Sequence, residues 1–124
     1  MDSLLIEGTL NTPSVRFEHS EGLLEIKGRS ICEDACGFYE PIIHWIEEYK
    51  KNPNEYTTVN IHLEYFNSSS AKNIFHALKK IVSIPEAKEK VTINWYYDAG
   101  DEEMFINGSD YESLIYFPVE KIEI

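Results

Sequence analysis

Apolar and polar positions along this chain change period several times, and each change marks an element. Leu24 and Ile26 alternate with Glu25 and Lys27, so Leu23 to Gly28 predicts a strand with one buried face. Thr12 to His19 predicts a strand before it, and Ser20-Glu21-Gly22 joins the two as a hairpin with glycine in the turn. Leu4 to Ile6 adds a short strand ahead of these. From Ala35 to Lys51 the period lengthens: Phe38, Ile42, Trp45, Ile46 and Tyr49 share one helical face, opposite Glu40, His44, Glu47, Glu48 and Lys51. Pro41 lacks a backbone donor and is expected to kink this helix or to mark where its regular part begins. Asn52-Pro53-Asn54 stops it.

Thr57 to Phe66 returns to strand alternation, with Val59, Ile61, Leu63 and Tyr65 on the apolar side. After Asn67-Ser68-Ser69-Ser70, a second amphipathic helix runs to Ile84 and is expected to bury Ala71, Ile74, Phe75, Leu78, Ile81 and Val82, with Pro85 ending it. Val91 to Tyr97 predicts a strand and Asp98-Ala99-Gly100-Asp101 a polar turn. Glu102 to Ile106 predicts a short helix closed by Gly108 as its C-cap. Leu114 to Phe117 predicts a last strand, extended by Val119 to Ile124. The order β-β-α-β-α-β-α-β is that of an α/β fold, a small mixed sheet with helices mainly on one face. With 124 residues and no linker or repeat, residues 1–124 are expected to form a single domain.

Charge narrows the function classes. Eleven basic residues against 22 acidic ones give a formal net charge of −11. Phosphate backbones and anionic lipid repel such a surface, so neither nucleic acid nor membrane is an expected partner. No apolar run approaches the ~20 residues that span a bilayer, and the N-terminus lacks the basic and apolar regions of a signal peptide, so a cytoplasmic location is expected. Cys32 and Cys36 are expected to be a reduced pair, since C-x3-C supplies half a zinc site and no second half follows. No cofactor and no metal are expected.

The stretch Tyr65-Phe66-Asn67-Ser68-Ser69-Ser70-Ala71-Lys72 concentrates hydroxyls at a strand-to-helix junction. The first N–H groups of a helix lack internal partners, and together with the helix dipole they favour an anion. One serine is expected to cap the helix, which leaves two without that duty. Lys72 stands in the first turn, where a carboxylate would suit the dipole better, and a visiting anion would account for it. Asp98 and Asp101, with Glu102 and Glu103, offer another chemistry: a hard-cation site of a small metal-dependent enzyme, or simply an acidic helix start. A Ser68–histidine nucleophile would need a base within ~3 Å. However, His19, His44, His62 and His76 are scattered over different elements, and no G-x-S-x-G elbow is present. The expectation is a protein that is not an enzyme.

The serine-rich stretch is similar to the Tyr-x-Asn-(Thr/Ser)-Ser-Ser motif of the SiaC family of bacterial regulatory phosphoproteins. Gly28-Arg29-Ser30 followed by Glu33, Tyr39-Glu40-Pro41-Ile42 with Trp45-Ile46, Trp95-Tyr96-Tyr97-Asp98 and Asp110-Tyr111-Glu112 match the same pattern in order. The stretch Ile31-Cys32-Glu33-Asp34 departs from the family's Pro-Glu-Asn wording, and Ser68 stands where many members have threonine. The resemblance implies a fold like the SpoIIAA/STAS-type antagonists of anti-sigma factors. It also implies Ser68 as phosphoacceptor, a serine/threonine protein kinase, a metal-dependent serine/threonine phosphatase, and a diguanylate cyclase as the partner of the unmodified protein. Tyr65, Phe66, Asn67, Ser69, Ser70 and Lys72 are the expected partner-binding residues around Ser68. An anti-sigma-factor antagonist that binds an anti-sigma kinase is the alternative on the same fold.

Overall fold

A computed structural model describes residues 1–31, 33 and 35–124, and of Ala35 and Cys36 only the helical backbone. The reduced-pair expectation for Cys32 and Cys36 therefore lies outside the described residues. The chain runs β1 (Leu4–Ile6), β2 (Ser14–Glu18), a single 3-10 turn (His19–Glu21), β3 (Leu23–Ser30), α1 (Ala35–Lys51) and β4 (Thr57–Phe66). It continues with α2 (Ser68–Val82), α3 (Ala87–Lys90), β5 (Val91–Tyr97), α4 (Glu102–Ile115) and β6 (Glu120–Glu123). The six strands form one mixed sheet in sequential order, with β1, β2 and β3 antiparallel and β3 to β6 parallel.

Two apolar rows cross this sheet with a polar row between them. Val15, Ile26, Ile61 and Trp95 are in register, as are Phe17, Leu24, Val59 and Ile93; between them run Arg16, Glu25, Asn60 and Asn94. Period-two alternation thus sends the side chains of both apolar rows to one face. Three crossovers, β3-α1-β4, β4-α2-β5 and β5-α4-β6, step in the same direction. Right-handed connections then put all three helices on that apolar face. Ile42, Trp45, Ile46 and Tyr49 of α1 and Ile74, Leu78 and Ile81 of α2 are buried there, each worth about 1.5–3 kcal/mol on burial.

Several boundaries differ from the sequence expectation. Strand β2 starts at Ser14, because Thr9 Oγ1 accepts from the Thr12 amide at 3.0 Å and holds residues 9–12 in a turn. The hairpin closes through the 3-10 turn and Gly22 in the left-handed region (φ 61°). Helix α1 runs through Pro41 without interruption, with the ring on the exposed side. The one-turn helix α3 has no counterpart in the periodicity. Helix α4 is far longer than Glu102 to Ile106. Gly108 lies buried in its interior rather than at its end, and Tyr116 (φ 53°) takes the left-handed cap position. The last strand is accordingly β6, and Leu114 and Ile115 are helical.

The register of β4 is the most consequential difference. The β3–β4 register passes from Gly28↔Leu63 to Arg29↔Tyr65, so Glu64 is an extra residue on β4. Such a bulge re-aims the side chains beyond it. Tyr65, which continues the alternation of Val59, Ile61 and Leu63 and is an expected partner contact, is 54% exposed. Phe66 turns instead toward Trp95 and Tyr111, with ring centroids at 6.1 and 6.4 Å.

Candidate functional site

The end of β4 and the start of α2 are fixed by backbone bonds before any side chain acts. The Asn67 amide donates to the Ser30 carbonyl at 3.0 Å, which ties the junction to the end of β3. Asn67, and not a serine, is the N-cap: its Oδ1 accepts from the Ser70 amide at 2.9 Å. Ser68, Ser69 and Ser70 are therefore the first three residues of the helix, and none of their hydroxyls is needed for the cap.

The three serines have different surroundings. Ser68 is exposed, and among the described residues nothing in the protein hydrogen-bonds its hydroxyl. Ser69 is half-buried, and its carbonyl accepts from Asn73 Nδ2 at 2.9 Å. Ser70 is fully buried, which corrects its expected place among the partner contacts. Its hydroxyl donates to the Ser30 carbonyl at 2.8 Å and accepts from Ser30 Oγ at 2.7 Å; the Tyr39 hydroxyl lies 2.9 Å from Ser30 Oγ. One buried hydroxyl cluster thus locks β3, α1 and the first turn of α2 together. Ser70→Ala is expected to cost about 1–2 kcal/mol, since it strips a partner from buried groups, and urea unfolding at unchanged m-value would measure it. Periodicity could not flag Ser30 or Tyr39, because the cluster joins residues distant in sequence.

Beside Ser68, the remaining residues form an open surface. Lys72 is exposed one turn along α2, on the same side as Ser68, and has no ion pair among the described residues. Arg29, also exposed, is the register partner of Tyr65. Phe66, Lys72, Phe75 and Leu114 line a groove of about 430 Å³ between α2 and α4. Tyr111 forms the groove's inner wall, and its hydroxyl donates to the Ala71 carbonyl at 2.8 Å. Burial, reinforced by Tyr39, holds the Tyr111 phenol well above its ordinary value of 10.0. A raised folded-state value means stability that is complete below the unfolded value and lost as pH rises past it. Melting temperature is therefore expected to fall above pH ~10, and less steeply in Tyr111→Phe, as scans across that range would record.

The acidic loop is differently employed. Asp101 caps α4, its Oδ1 accepting from the Met104 amide at 3.0 Å, and Asp98 Oδ1 lies 3.3 Å from His62 Nε2. Glu102 and Glu103 are exposed in the first turn, where they complement the dipole. Among the described residues, no three His, Cys, Asp or Glu side chains are grouped to hold a metal ion. His19 bonds the Asn52 carbonyl, while His44 and His76 line a separate groove between α1 and α2.

An exposed serine at the head of a helix is a common feature, and the whole chain has to be compared before it takes on meaning. Residues 6–124 match the model of the SiaC family regulatory phosphoproteins. The chain belongs to the SiaC family. It is 25% identical over 118 residues to the uncharacterized protein PA14_02130 of Pseudomonas aeruginosa (strain UCBPP-PA14), covering 95% of this chain and 94% of that protein. Its fold is that of SiaC of Pseudomonas aeruginosa, with a TM-score of 0.88 at 23% identity over the full length of both chains. It is equally similar (TM-score 0.89, 23% identity, 98% of this chain and 99% of the other) to a chain in the crystal structure of the diguanylate cyclase SiaD in complex with its activator SiaC. The six-stranded mixed sheet with its helices is thus the SiaC fold, and a regulatory role comes with the family. Among the described residues, no helix is long and apolar enough to cross a membrane.

Proposed function

We propose that this SiaC-family chain is a non-catalytic cytoplasmic switch controlled by phosphate on Ser68. A serine/threonine kinase adds the phosphate, and a metal-dependent serine/threonine phosphatase removes it. The unmodified protein binds and regulates a diguanylate cyclase. The observation that carries this reading is the division of labour at the junction: Asn67 caps the helix, Ser70 is locked inside, and Ser68 alone of the three serines is exposed, with a hydroxyl unbonded among the described residues. A phosphate there meets the positive end of the α2 dipole and unpaired amides, so the fold tolerates it. The pairing of SiaC with the cyclase SiaD in Pseudomonas aeruginosa supports the choice of partner.

Phosphopeptide mapping of the protein from its own cells, with and without phosphatase inhibition, tests the switch. Phosphate is expected on Ser68 and is expected to rise under inhibition. Its absence from both samples would leave Ser68 an ordinary helix residue. Affinity capture with unmodified and Ser68→Ala baits then separates a diguanylate cyclase from an anti-sigma kinase as the partner.

A further inference from the structure

Two residues hold a backbone conformation that side chains seldom adopt, and both border one groove. Tyr116 ends α4 at φ 53°, and Glu86 stands before α3 at φ 62°. Elsewhere among the described residues a positive φ belongs to Gly22, Gly28 and Gly100. The end of a helix favours glycine in the left-handed region, because a Cβ there crowds the backbone. A bulky side chain kept in that position calls for a reason other than backbone preference. Packing does not supply it: Tyr116 is 84% exposed, so its ring adds little to the core. The groove beside it, of about 400 Å³, has Val82, Ile84, Ala87, Ile115 and Phe117 as its apolar lining. It lies where α2 and α4 end, about 20 Å along α2 from Ser68. Its charges balance. Glu86 is paired with Lys90 at 3.4 Å, while Lys88 and Glu89 are exposed neighbours of opposite sign with no ion pair among the described residues.

We infer that this face docks a second copy of the chain, with Tyr116 of each copy entering the groove of the other across a two-fold axis. A two-fold interface is self-complementary, so one patch must supply both the projecting side chain and the slot that receives it. Tyr116 and the groove at its side are such a pair. The same symmetry sets Lys88 of one copy against Glu89 of the other, twice over. Charge therefore favours the contact locally, although each copy carries a net charge of −11. The ring that gives the fold nothing in the single chain is buried in the pair, which accounts for an aromatic residue at a position that suits glycine. One large side chain per copy makes a small interface of the transient kind, with Kd expected at about 10–100 µM. Ser68, at the far end of α2, stays open in both copies, so this dock does not rest on the reading of Ser68 as a switch.

Sedimentation of the full-length, unmodified protein from about 5 µM to about 1 mM tests the dock, in about 0.15 M salt, which screens the net repulsion beyond about 8 Å. The mass is expected to rise from that of one chain toward that of two. Tyr116→Gly is expected to weaken association at least about tenfold. It is also expected to raise the melting temperature by a few degrees at the lowest concentration, where the wild type is a single chain, because glycine suits the left-handed position. Lys88→Glu sets like charges against each other across the axis and is expected to weaken association severalfold. Adding Glu89→Lys exchanges the two signs, restores both pairs and recovers the lost affinity. A single chain at the top of the concentration range overturns the dock. So does undiminished association of Tyr116→Gly, or a charge exchange that recovers nothing. A lowered melting temperature in Tyr116→Gly would mean that the ring serves the fold, and would remove the ground for assigning it to a second copy. Phosphate mapping at Ser68 reads the proposed function separately, since it is expected to be the same in Tyr116→Gly as in the wild type.

Discussion

Stoichiometric phosphorylation of Ser68 is expected to weaken partner binding more than a hundredfold while moving the melting temperature by only a few degrees. The two effects separate because the phosphate faces two different environments. Toward the protein it meets the head of α2, where unpartnered amides and the dipole stabilise an anion by about 0.3–1 kcal/mol. The Ser68 hydroxyl has no hydrogen bond to lose among the described residues, and the cap and the buried cluster do not involve it. Toward a partner, the same phosphate is a strongly hydrated group of about two charges that must be stripped of water or left as a gap. A loss of ~3 kcal/mol there exceeds a hundredfold in Kd. Calorimetric titration of the cyclase with phosphorylated and unmodified protein, beside thermal melts of both, measures each half. A melting temperature lowered by more than about 10 °C would mean that phosphate acts by opening the first turn of α2 and not by altering its surface. Unchanged affinity would remove Ser68 from the interface.

The parts of this arrangement that depend on local pattern were legible in the residues. Ile42, Trp45, Ile46 and Tyr49 mark the buried face of α1 by spacing alone, and the Val59-Ile61-Leu63 alternation marks β4. The serine-rich junction falls at the head of α2, as expected. What escaped depends on contacts between distant segments. The extra residue Glu64 shifts the β3–β4 register and brings Tyr65 to the surface, and nothing in the alternation of β4 announces it. Ser70 resembles Ser68 and Ser69 as a residue type, yet its surroundings are set by Ser30, forty positions earlier. Asn67 outcompeted the serines for the cap, which the preference scale permits, since asparagine and serine rank together.

The charge pattern teaches a related point. A net charge of −11 argues against nucleic acid and anionic lipid as partners of the molecule as a whole. Helix α2 itself contributes only cations, and Lys72 and Lys79 have no ion pair among the described residues, although Asp110 lines the same groove as Lys72 and Glu40 the same groove as Lys79. Whole-chain charge governs solubility and long-range approach, whereas the sign at one helix governs what can settle on it. A switch of about two charges has leverage here because the local balance to be reversed is equally small.

Gly108→Ala is expected to destabilise the protein by about 2–3 kcal/mol, opposite in sign to the usual effect of this change in a helix. In the interior of an ordinary helix, alanine is better than glycine by about 1 kcal/mol. Here a Cβ would meet Trp95 Cδ1 at 2.6 Å and Cγ at 3.0 Å. Trp95 cannot move aside: it is 1% exposed, and its indole N–H donates to the Met104 carbonyl at 2.9 Å. Glycine therefore lets α4 lie directly on the indole, which is why a residue that reads as a helix end is found in a helix middle. At this chain length the loss amounts to roughly 8–12 °C in melting temperature. Ser113→Ala, at an exposed position of the same helix, is expected to be neutral or slightly stabilising and controls for propensity. Trp95→Phe shrinks the opposing ring, so the double variant with Gly108→Ala should be less destabilised than the two single losses combined. Strict additivity would mean that the space between α4 and β5 is not what selects glycine at this position.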